Sequence, residues 1–214
     1  MIKIENSSVW GFEHAIRGMR NPMNSWAKSD SEFYPEQSAG IGYWKLGEND
    51  LDLMRRLYKA GTEHRKYLRQ IFVSMDITAP LYWWKEFDTY KVGTTANSCS
   101  TMHKIHAKEF ELDDFSYEHL KQERPLYLLK NDIILELNRN RHLYLETKDK
   151  AYWWQMIQLL PSSYNQRRTV TMTYENVMAI IKQRTGHKLD EWNQFVALVE
   201  QLPYVKEIMH ADEI

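Results

Sequence analysis

A polar run from Phe87 to His103 contains the side chains that a phosphorylated ligand needs. Its sequence is FDTYKVGTTANSCSTMH, in which Lys91 supplies a positive charge and Asn97, Ser98 and Ser100 supply amide and hydroxyl donors. Donors of these kinds bind phosphate oxygens and the polar edges of nucleotide bases. The run therefore predicts a nucleotide-binding loop.

Cysteine and histidine in this region offer other chemistry. Cys99 is the one cysteine of the chain, so it forms no internal disulfide, and we expect a small buried side chain. A nucleophilic role for this thiol stays open as the alternative. His103 and His106 lie three residues apart without a carboxylate at matching spacing, which favours surface histidines over metal ligands. The sequence indicates no metal site.

Composition limits the classes of function. The 214 residues are 43% hydrophobic, and 28 lysines and arginines balance 29 acids to a net charge of −1. These values favour one domain or two small ones and make nucleic acid an unlikely partner, because no net cationic field attracts it. The N-terminus lacks the apolar core of a signal peptide, and no apolar run reaches the roughly 20 residues of a membrane span. We expect a cytoplasmic protein.

Helices and one strand must position the polar run. Apolar residues at helical spacing predict a helix from Asn49 to Tyr67, capped by Asn49 or Asp50 and broken at Gly61. Alternating apolar residues predict a strand from Ile71 to Pro80. A helix over 81–89 and a loop over 91–100 follow. The polar run thus begins at the end of a helix.

The rest of the chain predicts further helices. Leucine and isoleucine spacing favours helices over 113–134, 135–145 and 151–160. A loop over 162–174 then leads to a helix over 174–182 and to a last helix that ends near Gln201. Of each tandem tryptophan pair, Trp83-Trp84 and Trp153-Trp154, we expect one buried ring and one ring against a loop or subunit.

The C-terminal run LLPSSYNQRRTVTMTYENVMAIIKQRTGHKLDEW resembles that of flavin-dependent thymidylate synthases. Their pattern is ARxVLP, TxNxRxL and LRxxxxAQxEI. The matching positions are Leu160-Pro161, Thr171, Val177, Gln183-Arg184 and Glu191-Trp192, the last pair one residue closer to Arg184 than in the pattern. Upstream, KAGTEHRKYLRQIFVSMDITAPLYWWKEFDTYKVGT is similar to the family's GHxSxLEH segment, its strand and the helix before its RHR motif. The resemblance covers roughly Asp50 to Gln201.

This resemblance implies a fold and a reaction. The fold would be of the α+β class, helix-rich with a small mixed or antiparallel sheet, and would form a single domain over residues 1–214. The reaction of the family is reductive methylation of deoxyuridylate, in which reduced FAD supplies a hydride and a folate supplies the one-carbon unit. Reduced nicotinamide and folate are expected only if this reaction is retained. Family members are homotetramers, so a homotetramer is expected here as well.

Site residues follow from the same resemblance. Arg184 corresponds to the family arginine at the deoxyuridylate base and is the catalytic candidate. The implied nucleotide-binding residues are Asn97, Ser98, Cys99, Ser100 and Arg184. The implied cofactor-binding residues are Tyr90, Lys91, Asn97 and Thr173.

The chain departs from the family where charges are expected. The RHR triplet falls on Thr89-Tyr90-Lys91, and the arginine that binds the substrate phosphate falls on Thr101. Glu175 stands where an arginine is expected, and Arg167 and Arg168, which offer compensation, are predicted to be solvated surface charges. Two hypotheses for the function remain. In the first, the protein uses FAD to modify a pyrimidine deoxynucleotide. In the second, the fold is a non-catalytic scaffold that binds a nucleotide or a protein.

Overall fold

The computed structural model describes residues 2–35 and 42–209. Its strands are β1 Lys3–Trp10, β2 Glu32–Tyr34, β3 Tyr43–Lys45, β4 Phe72–Pro80, β5 Thr94–Ser98 and β6 Asn165–Thr173. Its α-helices are α1 Phe12–Arg20, α2 Glu48–Lys59, α3 Leu81–Phe87, α4 Arg124–Tyr127, α5 Ile134–Thr147, α6 Lys150–Leu159, α7 Tyr174–Arg184, α8 Asp190–Val199 and α9 Val205–Met209. A π-helical turn, Leu128–Ile133, connects α4 to α5.

The sheet confirms the predicted fold class. Within the described residues, four strands form a sheet in the order β1-β4-β6-β5, and β2 pairs with β3 in an antiparallel hairpin. The structure is helix-rich with a small antiparallel sheet. In β4, Val73, Met75 and Ile77 are at most 1% exposed, because successive side chains of a strand point to opposite faces. The predicted strand before Pro80 is therefore confirmed.

Contacts divide the chain into two compact units. Unit 1 contains Asp76–Lys91 and Ala96–Val170 with the start of β1, and unit 2 contains Asn6–Met75, Val92–Thr95 and the chain from Thr171 onward. Strands β1, β4, β5 and β6 contribute residues to both units. The single domain predicted for the whole chain stays a prediction.

Unit 1 is built around aromatic side chains and a helical hairpin. One buried cluster contains Phe110, Phe115, Leu137 and Met156, from α5, α6 and the segment before them. On α3, both rings of the Trp83-Trp84 pair are buried, at 0% and 1% exposure. The expectation that one ring of this pair would meet a loop or subunit is wrong, because α3 buries two adjacent positions.

Unit 2 contains a buried ion pair beneath its helices. Arg20, at the end of α1, donates from Nε to Asp50 on α2 at 2.6 Å, and both side chains are almost fully buried. Gly47, rather than Asn49 or Asp50, is the N-cap of α2. The predicted cap is wrong because Asp50 accepts bonds from Arg20, Ser29 and the segment at Ser31 instead.

Several predicted loops and helices differ in the structure. Strand β5 lies within the predicted loop 91–100, and β6 lies within the predicted loop 162–174. In β6, buried Gln166 alternates with exposed or half-buried polar residues, so the apolar period of two is hidden until Val170. Helix α4 begins only at Arg124, eleven residues after the predicted start at Asp113. In the described ranges, no helix is long and apolar enough to span a bilayer.

Candidate functional site

A small polar pocket in unit 1 contains part of the predicted nucleotide loop. Its volume is about 230 Å³, below the roughly 300 to 1,000 Å³ of sites for drug-sized ligands. It is lined by Thr78, Cys99, Ser100, Thr101, Lys108, Asp114, Tyr164, Asn165, Gln166 and Arg167. The pocket therefore has the size and polarity for a small hydrogen-bonding ligand.

Strand pairing holds Cys99 at this small polar pocket. The Cys99 backbone N–H donates to the Arg167 carbonyl at 2.9 Å, and the Gln166 side-chain amide donates to the Cys99 carbonyl at 2.8 Å. Both backbone groups of Cys99 are thus bound to β6, just beyond the end of β5. The Cys99 side chain is exposed, so the prediction of a buried cysteine is wrong.

Ion pairs surround the same pocket. Lys108 Nζ is bonded to Asp114, and an Arg167 Nη atom donates to Asp76 at 2.7 Å. Glu5 lies a further 3.8 Å from Arg167. The Asp76 carboxylate raises the pKa of Arg167, first by hydrogen bonding and then by its charge. Arg167 is exposed, as predicted for a surface charge, and it is also engaged with carboxylates of its own chain.

Arg168, the second predicted surface charge, is also fixed in place. Its guanidinium group lies 4.2 Å from the Trp84 ring centroid and donates to Asp88 at 2.6 Å. The Arg168 side chain is only 14% exposed. A cation over an aromatic face and a carboxylate together account for its position, so Arg168 supports α3 and β6.

Tyr164 provides an uncharged hydroxyl to the small polar pocket. Burial, followed by the Asp114 carboxylate and Cys99, raises the pKa of Tyr164 to about 12. The phenol is thus neutral at physiological pH and retains its proton for hydrogen bonding.

The predicted nucleotide residues are distributed between the two units. In unit 1, Asn97 and Ser98 are exposed on β5, and Cys99 and Ser100 line the small polar pocket. In unit 2, Arg184 ends α7, where its guanidinium lies 4.4 Å from the Trp192 ring centroid and its Nη1 is 3.1 Å from His187 Nε2. These contacts give Arg184 a structural role.

The predicted cofactor residues have varied surroundings. In unit 1, the Tyr90 ring centroid is 6.2 Å from that of Phe87, and Lys91 is exposed. In unit 2, Thr173 caps α7: its hydroxyl accepts from the Asn176 N–H at 3.3 Å and donates to the Asn176 side-chain oxygen at 2.7 Å. Thr173 is therefore committed to holding the start of the helix.

Glu175 has a partner that neutralises its charge. Both carboxylate oxygens of Glu175 accept from the Arg65 guanidinium, at distances from 2.7 to 3.1 Å. Each side chain is 17% exposed. A largely buried carboxylate that is paired with an arginine presents little free negative charge to a ligand. The position that the resemblance assigns to a flavin contact is occupied here by an internal ion pair.

Unit 2 also contains a larger cleft that sequence reasoning did not identify as a site. Its volume is about 590 Å³. It is lined by Gly18, Met19, Asn21, Pro22, Met23, Leu57, Glu63, His64, Lys66, Tyr67 and Gln70. Glu63 to Gln70 belong to the segment KAGTEHRKYLRQ, so the resemblance to the GHxSxLEH segment was an available signal. The part from Gly18 to Met23 lies outside the resemblance.

The side chains that line the larger cleft have the chemistry that a flavin ring system needs. Apolar side chains of Met19, Met23 and Leu57 provide a surface for a planar ring, and Lys66 and His64 provide polar groups. A Cβ on Gly18 would lie 2.6 Å from the Gln70 side-chain oxygen, so glycine permits this close approach. Tyr90, Lys91, Asn97 and Thr173 do not belong to this lining, and their cofactor assignment stays a prediction.

Comparison with known proteins bears on the fold. No protein-family model and no curated protein sequence matches the chain. A solved structure of thymidylate synthase X (ThyX) from Helicobacter pylori with FAD and dUMP is similar over 99% of this chain and 98% of that one, at 16% identity and a TM-score of 0.68. A second Helicobacter pylori ThyX structure, complexed with FAD and dUMP, covers 98% of both chains at 16% identity and a TM-score of 0.66.

The chain has the ThyX fold. Coverage of nearly the whole of both chains confirms the fold that the sequence motifs predicted. At this identity the likeness concerns the backbone, and the ligand sites of the ThyX fold have to be argued from the side chains of this chain. Within the described residues, no group of His, Cys, Asp and Glu could hold a metal ion.

Proposed function

We propose that this chain uses the ThyX fold to bind a pyrimidine deoxynucleotide or its nucleoside in the small polar pocket. The observation that carries the proposal is the meeting of Cys99, Ser100 and Thr101 with Tyr164 and Asn165 around about 230 Å³. Hydroxyl and amide groups at these positions suit the carbonyl and imide groups of a pyrimidine and the hydroxyls of deoxyribose. The binding of dUMP by proteins of the same fold supports this ligand class.

Flavin binding is the second part of the proposal. The larger cleft of unit 2 would hold the FAD ring system, with Met19, Met23 and Leu57 against the ring and Lys66 near its polar atoms. When bound and reduced by a nicotinamide, FAD would supply a hydride for reductive modification of the pyrimidine. Methylation would further require a folate as the one-carbon donor. The protein side chains would position the pyrimidine and exclude water from it.

Two measurements on the purified protein test these parts separately. Bound FAD gives an absorbance band at about 450 nm, so the protein with FAD is expected to be yellow. Deoxyuridine or dUMP at about 100 times its Kd is expected to stabilise the folded state by about 2.7 kcal/mol. A colourless protein that FAD does not stabilise would refute the flavin part. The absence of stabilisation by both pyrimidine ligands would refute the pocket.

The scaffold hypothesis is the second candidate, and specific contacts favour it. Arg184 is stacked on Trp192, Thr173 caps α7, and Glu175 is paired with Arg65. These side chains, at positions that the resemblance assigns to ligands, serve the structure of unit 2. Under this hypothesis the protein binds its ligand without turnover, and ligand-bound protein incubated with reduced FAD leaves the pyrimidine unchanged.

Self-association in the cytoplasm completes the proposal. Exposed apolar side chains on α5 and α6 include Leu135 at 67%, Trp154 at 42% and Leu159 at 39%. Apolar groups of this size are typical of the buried centre of subunit interfaces. These side chains support self-association, the resemblance implies the homotetramer that we propose, and light scattering gives its mass directly. A monomeric mass at micromolar concentration would contradict it.

A further inference from the structure

We propose that the small polar pocket of unit 1 selects a pyrimidine deoxynucleoside without a 5′-phosphate over the corresponding monophosphate. This inference rests on the proposed function, because it concerns the ligand of the same pocket. It goes beyond that function by assigning the phosphorylation state of the ligand. The charges around the pocket carry it.

Each cationic side chain of the pocket is already paired with a carboxylate. Among the described residues that line it, the cations are Lys108 and Arg167. Lys108 is bonded to Asp114, and Arg167 donates to Asp76 at 2.7 Å. These four groups sum to zero charge, and Glu5, 3.8 Å from Arg167, is itself paired with Lys3 at 2.9 Å. The pocket thus offers a phosphate no excess positive charge.

A 5′-phosphate would compete with these carboxylates. A phosphate monoester carries about −1.5 to −2 charges at pH 7, so it would approach Asp76 and Asp114 against like-charge repulsion. To bind Arg167 it would have to share a guanidinium that Asp76 holds, while Asp76 also accepts from Thr169 at 2.5 Å. Asp76 is therefore fixed from two sides, which makes its displacement by a phosphate costly.

Uncharged donors remain for a neutral ligand. The lining includes the hydroxyls of Thr78, Ser100, Thr101 and Tyr164 and the side-chain amide of Asn165. The raised pKa of Tyr164, caused by burial and then by Asp114, keeps its phenol protonated. Neutral hydroxyls and amides recognise sugar hydroxyls and pyrimidine carbonyls without needing an ion pair to break. The chemistry of the pocket thus matches a nucleoside.

Calorimetric titration of the full-length protein tests this selectivity. Deoxyuridine is expected to bind at least about tenfold more tightly than dUMP, which corresponds to about 1.4 kcal/mol. Tighter binding of dUMP would overturn the inference and leave the proposed function standing. Binding of neither ligand would show that the proposed function itself has failed, and the inference with it.

Two matched variants test whether the carboxylates cause the selectivity. Asp76→Asn removes the charge that holds Arg167, so the affinity for dUMP is expected to rise about tenfold while that for deoxyuridine changes little. Asp88→Asn is the control, since Asp88 pairs with Arg168, which does not belong to the pocket lining. Equal effects of the two variants on dUMP would overturn the inference. A circular dichroism spectrum confirms that each variant is folded.

Discussion

In the small polar pocket, ion pairs and hydroxyls surround about 230 Å³, whereas in the larger cleft methionine and leucine side chains line about 590 Å³. The small polar pocket would select a ligand by its hydrogen-bonding groups and its charge. The larger cleft would select a ligand by its apolar area. Polar groups must be matched individually because an unmatched one costs free energy on burial. An apolar surface accepts any ring of suitable size. The two sites therefore predict different sensitivities to substitution.

Stability of the cleft depends on the buried ion pair beside it. Asp50→Ala would leave Arg20 charged and buried next to the cleft residues Met19 and Asn21. We expect the free energy of unfolding to fall by about 3 to 5 kcal/mol, because removing one partner of a buried pair leaves an uncompensated charge. Denaturant unfolding measures it.

The matched control for Asp50 is on the same helix. Asp52→Ala removes an exposed pair with Arg56, whose side chains are 64% and 56% exposed, and we expect a loss of about 0.5 kcal/mol or less. Similar losses in the two variants would contradict a special role of the buried pair. Deoxyuridine binding to the pocket, measured well below the unfolding temperature, is expected to survive in Asp50→Ala.

Low pH is expected to weaken the buried ion pair of Asp50 and Arg20 beside the larger cleft. Burial alone would raise the pKa of Asp50, but hydrogen bonds from Ser31, Ser29 and Arg20 outweigh it and lower this pKa below its ordinary value of 3.8. A group with a lowered folded-state pKa contributes its stability fully above the unfolded pKa and loses it as pH falls through the folded one. Unfolding free energies measured from pH 6 downward are expected to decline below about pH 4. A flat profile through this range would contradict the role of Asp50.

A change of charge at the larger cleft is expected to affect the binding of FAD but not the binding of a nucleoside. If FAD occupies the larger cleft as proposed, Lys66→Glu replaces a positive charge of the lining by a negative one, and we expect about tenfold weaker FAD binding, or about 1.4 kcal/mol. Lys188→Glu makes the same charge change at an exposed residue outside the lining. Fluorescence titration with FAD measures both variants. Equal weakening would remove Lys66 from the site.

Arg184 separates the catalytic assignment from the structural one. Arg184→Ala removes the guanidinium 4.4 Å from the Trp192 ring, and we expect a loss of about 1 kcal/mol of unfolding free energy. If Arg184 is structural, Arg184→Ala leaves the thermal stabilisation by deoxyuridine unchanged. If Arg184 contacts the pyrimidine, Arg184→Ala abolishes that stabilisation. Thermal unfolding with and without the ligand distinguishes these outcomes.

The sequence predicted the fold better than the sites. Strand β4 and helix α3 could be predicted because Ile71 to Pro80 alternates apolar residues and Pro80 precedes a helical run. Strand β6 was missed because its alternation is carried by Gln166, whose burial depends on its bonds to Cys99 and Arg168. Partners distant in sequence decide such burial. The pairing of Arg167 with Asp76 could not be predicted either, because Asp76 lies on the neighbouring strand β4 and is distant in sequence.

Removal of the Lys108–Asp114 ion pair at the small polar pocket has the smallest expected effect on the free energy of unfolding. Lys108 is 65% exposed and its partner Asp114 only 15%, and Asp114 also accepts from the Glu111 N–H at 3.0 Å in a capping box. Lys108→Ala leaves that capping bond in place and frees a carboxylate that is partly solvated. We therefore expect a loss of about 0.5 kcal/mol in unfolding free energy, far below that of Asp50→Ala. A loss above about 2 kcal/mol would mean that Asp114 depends on Lys108 as Arg20 depends on Asp50, and the contrast between pocket and cleft would disappear.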